Sequence, residues 1–129
     1  YRVNIWKATP KLIERVEESE AKKDQTISSR TLHSMEPPGQ TAEMRALLVQ
    51  HEVANVGYRL VRARRTPRDK NLYMADIGVE IGHAIVQLEM LAIDLGLSPE
   101  ACKSLGLKTT LERFKEFWPD KEVGQRCRG

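Results

Sequence analysis

Apolar residues recur along this chain at helical rather than strand spacing. Leu12, Ile13 and Val16 follow Thr9-Pro10, which reads as an N-cap and a proline at the first helical position. They predict a helix that fades by about Asp24. Its apolar stripe is thin and its charges are many, so loose packing or an arm-like role is expected. Residues 25–41 show no period and contain Pro37, Pro38 and Gly39, and read as a loop or linker. Thr41 is placed to cap a second helix, with Glu43 in its first turn. Val49, Val53, Val56 and Leu60 give it a core-facing stripe, which Met44, Leu47 and Leu48 widen at the start. This helix is expected to reach about Arg64 and to stop before Pro67.

A third helix is predicted from Lys70 or Asn71 to Gly96, a C′ glycine. Met74, Ile77, Ile81, Ala84, Ile85, Leu88, Leu91 and Leu95 form one continuous apolar face, and Val86, Met90 and Ile93 add apolar surface elsewhere. Such a helix is central in a bundle or shared at a dimer interface. Ser98-Pro99-Glu100 starts a short helix that Gly106 interrupts. A last helix is expected from Thr109 or Thr110 to Pro119, with Phe114, Phe117, Trp118 and the distant Trp6 pinning the terminal segments. Strand signals are scarce. The expected fold is all-α, a small bundle of four to five helices completed by oligomerisation into a homodimer or homotetramer. Residues 1–40 form a helical arm and Pro-rich linker, 41–119 the helical core, and 120–129 a polar tail.

Composition narrows the classes further. A chain of 129 residues, 40% hydrophobic and 30% charged, fits one globular domain and excludes a disordered tail or a disulfide scaffold. Charges interrupt every apolar run before the ~18 residues a membrane span needs, and the N-terminal stretch has no signal-peptide core. Cys102 and Cys127 have neither CxxC nor zinc-finger spacing. They read as reduced thiols, which implies a cytoplasmic protein. A net charge of +3 is too mild to favour nucleic acid as the partner. Basic residues nevertheless concentrate at Arg59, Arg62, Arg64, Arg65, Arg68 and Lys70, read either as a phosphate clamp or as a solvated interhelix loop. His33, in the Pro-rich segment, is expected to be exposed and without a local partner.

The candidate chemistry lies on the second and third helices. Asp76, Glu80, His83 and Gln87 are spaced i, i+4, i+7 and i+11 on an otherwise apolar helix. A carboxylate buried there needs a partner, so the stripe faces solvent, basic groups, or a ligand or metal. His51, Glu52 and Asn55 cluster within a turn of the second helix. Were the two helices adjacent and antiparallel, Glu52 and Asn55 would meet Glu80 and His83. Oxygen ligands from two helices can hold Mg²⁺, which keeps waters and takes substrate phosphates as remaining ligands. No GxSxG, Walker A, GxGxxG or HExxH motif is present.

The segment DIGVEIGHAIVQLEMLAIDLGLSPEA, with LKTTLERFKEF after it, resembles the all-α nucleoside triphosphate pyrophosphohydrolases, the MazG-like superfamily, over about residues 43–117. That family carries EExxE on one helix and ExxD on the next. The corresponding positions here read His51, Glu52 and Asn55, then Glu80 and His83. The resemblance implies cleavage of a nucleoside triphosphate to a monophosphate and pyrophosphate with Mg²⁺ or Mn²⁺. Glu52 and Glu80 would be catalytic, with Glu52, Asn55, Asp76, Glu80 and His83 around the metal. Lys108 and Arg113, with Arg64 and Arg65, would approach phosphates. Two alternatives stand beside it: a nucleotide-binding or oligomerisation module that has lost the chemistry, and a di-metal carboxylate bundle to which one chain gives Glu80-x-x-His83 and Glu52 and a symmetric homodimer supplies the rest. A phosphate clamp predicts that replacing Arg64 and Arg65 by Ala weakens nucleotide binding in a titration. Unchanged affinity would return both to ordinary solvated surface.

Overall fold

The computed structural model describes residues 7–124. These form an all-helical bundle, with no strand among the described residues. The helices are α1 (Pro10–Ala21), α2 (Ser29–Met35), α3 (Ala42–Arg65), α4 (Lys70–Met74), α5 (Ile77–Asp94) and α6 (Pro99–Phe117), with a 3-10 turn at Pro67–Asp69 between α3 and α4.

Local sequence sets most of the boundaries. The side chains of Thr9, Ser28, Thr41 and Ser98 each accept a hydrogen bond from the amide three residues on, which satisfies one orphan donor of α1, α2, α3 and α6. α3 ends in Arg62, Arg64 and Arg65, whose charges suit the negative end of the helix dipole. α5 ends in a Schellman motif. Gly96 adopts φ +74°, its amide donates to Ile93 O at 2.9 Å, and the Leu97 amide donates to Ala92 O at 2.9 Å.

Three expected element boundaries are corrected. The segment 25–41 is not all loop, because Ser28 caps the two-turn helix α2 within it. The predicted third helix breaks at Ala75-Asp76 into α4 and α5. Arg15 of α1 spans that break, donating to Ala75 O at 3.0 Å and to Asp76 Oδ1 at 2.9 Å. Conversely, Gly106 interrupts nothing. α6 runs through it unbroken, since one glycine costs a helix only about 1 kcal/mol.

α3 and α5 form the centre. Leu12 of α1, Ala63 of α3, Met74 of α4 and Ile77 of α5 make a buried apolar cluster, against which Val56, Leu60 and Tyr73 pack. α1 closes onto α5 at Gly78, where a Cβ would come within 3.0 Å of Val16 Cγ2. At the other end the α3–α5 contact is polar. Arg45, with 0% exposure, donates to Glu36 and Asp94, and to Gln87 Oε1 at 2.7 Å. His33 Nε2 lies 2.7 Å from Asp94 Oδ1, so His33 is half-buried and partnered, not a lone exposed histidine. Arg30 of α2 reaches Glu100 at the start of α6 through two bonds of 2.7 and 2.8 Å. Together with the Glu100 and Ser98 donors, that contact lowers the Glu100 carboxyl to about 2.

α5 is rotated about its axis relative to its expected face. Ile77 and Ala84 are buried as predicted, but Ile81, Ile85, Leu88 and Leu95 are turned to solvent. The polar residues Glu80, Gln87 and Asp94 point toward α3. The aromatic residues at the end of α6 do not pin it to the bundle either. Phe114 and Phe117 pack on Trp118 with ring centroids 5.7 and 5.9 Å apart and remain exposed, and Trp6 lies outside the described residues.

The buried Arg45 gives a direct test. Burial alone would raise the Asp94 carboxyl, but hydrogen bonds from Arg45 and His33 outweigh it and hold the group below the usual carboxylate range. Its contribution to stability is complete above the ordinary value near pH 4 and is lost as pH falls through the depressed folded value. Thermal unfolding followed by circular dichroism should therefore show Tm falling below about pH 4. Asp94→Asn should flatten that acid limb. Replacing Arg45 by Met strands the carboxylates of Asp94 and Glu36 and should cost about 3–5 kcal/mol in denaturant unfolding.

Candidate metal centre

The α3–α5 seam repeats every seven residues. On α3, Arg45, Glu52 and Arg59 are heptad-spaced, and on α5 so are Glu80, Gln87 and Asp94. The helices run antiparallel, which places Arg45 beside Asp94 and Gln87, Glu52 beside His83, and Arg59 beside Glu80. Small or apolar residues alternate with these layers, Val49, Val56 and Ala63 on α3 and Ile77, Ala84 and Leu91 on α5. An a/d-type seam therefore carries one apolar and one polar row. The opposed signs of Arg45 with Asp94 and of Arg59 with Glu80 fix the register, because a slip by one layer would strand buried charges.

The middle of this seam holds a convergent donor set. Ligand atoms of Glu52, Glu80 and His83 all lie within 4.8 Å of one another. Glu52 Oε2 is 3.7 Å from His83 Nδ1, and the Glu80 Oε1 accepts from Arg59 Nε at 3.3 Å. Both carboxylates are largely buried, while His83 is open to solvent, so the cluster is reached from one side. Two carboxylate oxygens and an imidazole suit Mn²⁺ or another transition metal better than Mg²⁺, which takes oxygen ligands.

The other expected site residues are placed elsewhere. Asp76 sits at the α4–α5 break and pairs with Arg15, whose hydrogen bond lowers its carboxyl despite slight burial. Asn55 Nδ2 lies 3.4 Å from His51 Nε2 on the same helix. Arg64 and Arg65 close α3, and the twelve residues from Glu52 to Arg64 span about 18 Å of helix. Lys108 and Arg113 lie on α6, past the end of α5. The fourteen residues from Glu80 to Asp94 span about 21 Å. None of these four basic residues shares the cluster. Arg62 is taken up by Tyr58 and Tyr73, with its guanidinium carbon 5.6 and 6.0 Å from their ring centres.

Arg59 is the residue that sequence reasoning passed over. It belongs by sequence to the basic run toward Lys70, yet its heptad spacing from Arg45 and Glu52 marks it as a seam residue. A second convergent group, His33, Glu36 and Asp94, is filled by the Arg45 guanidinium and so has no room for a cation. Of the cysteines, Cys102 is an exposed free thiol and Cys127 lies outside the described residues.

Comparison with known protein families, with curated proteins and with solved structures yields no match.

The Arg59–Glu80 pair sets up a competition. A cation at Glu52, Glu80 and His83 must share Glu80 with Arg59 or displace it. Arg59→Ala is therefore expected to strengthen Mn²⁺ binding, and Glu80→Ala to weaken it by about tenfold or more, in a calorimetric titration. Equal Mn²⁺ affinity in both variants and the parent would remove Glu80 from the ligand set.

Proposed function

We propose that this chain is a nucleoside triphosphate pyrophosphohydrolase-like protein that works with a divalent cation. The observation that carries the reading is the convergence of Glu52, Glu80 and His83 from two antiparallel helices. It is supported by the likeness of residues 43–117 to the MazG-like superfamily.

Glu52, Glu80 and His83 would hold the cation, which when bound would neutralise phosphate charge and lower the pKa of a water. Mn²⁺ suits the donor set better than Mg²⁺. Glu52 and Glu80 fix the site from opposite helices, and their burial on a rigid seam limits the positions a cation can take. Arg59 donates to Glu80 and so balances its charge. With Glu80 engaged by a cation, the planar donors of Arg59 would suit a phosphate oxygen. The solvent-facing His83 lies on the side from which a polyphosphate would approach.

The Arg59–Glu80 contact also favours a second reading, a module that binds nucleotide without turning it over. With fewer carboxylates than EExxE and ExxD would supply, the cluster attracts a cation less strongly. Expected partners are thus a nucleoside triphosphate or a related small molecule. No described helix is long and apolar enough to cross a membrane.

The deciding experiment is pyrophosphate release from a panel of standard and modified nucleoside triphosphates with Mg²⁺ and with Mn²⁺. Turnover higher with Mn²⁺ and lost in Glu80→Gln is the expected result. Nucleotide binding without release of pyrophosphate would establish the module, and neither binding nor turnover would reject both readings.

A further inference from the structure

The charge of this chain is unevenly placed. Residues 7–15 and 59–76 carry nine lysines and arginines against three acidic residues, a balance of +6 in a chain whose whole balance is +3. The rest of the sequence is therefore net acidic. The fold gathers the basic stretches at one end of the bundle. Leu12 of α1, Ala63 near the end of α3 and Met74 of α4 share one buried cluster, which sets the start of α1 beside the end of α3 and the turn into α4. A mild total charge thus conceals a strong local excess, and the local field is what an approaching polyanion meets.

Two further features lie at this end. A cleft of about 1110 Å³ opens between the start of α1 and α4, far more room than a lone phosphate ion fills. Lys7, Lys11, Arg15 and Lys70 line it, and no acidic residue among the described residues does. Its remaining wall is largely apolar, with Pro10, Leu12, Leu72 and Ala75. Arg15 is held in place by its bond to Asp76 Oδ1 at 2.9 Å. The second feature is aromatic. Tyr58 of α3 and Tyr73 of α4 flank Arg62, although the sequence sets no aromatic residue within the arginine run itself. Tyr58 is 57% exposed.

We propose that this end of the bundle binds a single-stranded nucleic acid. A strand presents phosphates at intervals, so it needs cations spread over a surface rather than one clamp, and α1, α3 and the turn into α4 all contribute them. Unpaired bases need apolar recesses and planar faces, which a duplex with its bases stacked inside does not use. The cleft supplies the recess, and Tyr58, braced by the Arg62 guanidinium, supplies the face. Arg15 and Arg59 already serve Asp76 and Glu80, so the backbone contacts fall to the exposed Lys7, Lys11, Arg65 and Arg68. Glu52, Glu80 and His83 take no part, so this inference does not rest on the metal reading.

The test is fluorescence anisotropy of labelled oligonucleotides of about 12 nucleotides, titrated with the whole chain in EDTA. One mixed sequence is used as single-stranded RNA, as single-stranded DNA and as duplex, with salt raised from about 50 to about 200 mM. The expected result is binding of a single strand at least about tenfold tighter than of the duplex, weakening about tenfold or more across that salt range. The tighter of the two single strands identifies the sugar. The Lys7→Glu, Lys11→Glu double variant should weaken binding about tenfold or more and flatten the salt dependence. Tyr58→Ala should weaken it about fivefold or more with the salt dependence unchanged, a split that general loss of structure would not give. If the glutamate variant fails to fold, Lys11→Gln with Arg68→Gln takes its place. No binding at the lowest salt overturns the proposal, and so does affinity that these substitutions leave unchanged. Duplex bound as tightly as single strand rejects the cleft and Tyr58 as base sites. Binding to anionic phosphatidylglycerol vesicles but to no oligonucleotide would assign the basic end to a membrane surface and equally reject it.

Discussion

A fully buried guanidinium organises this bundle. Arg45 enters the interior from the first turn of α3 and finds acceptors on the segment after α2 and at two positions of α5 about two turns apart. A guanidinium has five donors and no acceptor, so burial is tolerable only where oxygens surround it. Glu36, Gln87 and Asp94 supply them, and His33 completes the environment of Asp94. The position of α2, the rotation of α5 about its own axis and the α3–α5 register all answer to this one group. Rotating α5 to bury its larger apolar residues would withdraw Gln87 and Asp94 from Arg45 and leave opposite charges unpaired in the interior.

The candidate metal cluster is the next layer of the same seam. Arg59 and Glu80 repeat the charge pairing of Arg45 and Asp94 two heptads away, with looser geometry and more solvent. Between them lies Glu52, opposite a histidine rather than an arginine. One end of the seam is therefore closed by a network around the buried Arg45, while further along it carboxylates meet their partners at 3.3 and 3.7 Å. A binding site made this way inherits rigidity from the layers on either side, at the cost of competing with a cation for Glu80.

Turning the polar row of α5 inward has a consequence on the opposite side of the helix. Ile81, Ile85, Leu88 and Leu95 are left exposed there, and α6 adds exposed aromatic and aliphatic residues, with only Pro99 buried. The interior of the chain is small and partly ionic. Hydrophobic burial within the chain is thus modest, and much of the aliphatic surface of α5 and α6 stays exposed.

How far the sequence reached depended on whether the deciding interaction was local. Caps at Thr9, Thr41 and Ser98, the glycine stop at Gly96 and the 3.6-residue period are written within a few residues. They determined the all-helical class and the bounds of α3. The meeting of Glu52 with Glu80 and His83 was legible on the condition that the two helices lie side by side and antiparallel, and the structure brings the three together. The rotation of α5 was not. Periodicity reports that a helix has an apolar side and a polar side, but which one meets a neighbour depends on what that neighbour offers, and Arg45 sits about forty residues upstream. The break at Ala75-Asp76 likewise depends on Arg15, and the partner of His33 on Asp94, each about sixty residues away in the chain. Local propensity decided which segments are helices. The interior charge pairs, which form only between segments distant in sequence, decided which faces those helices bury and where Arg59 enters the candidate site.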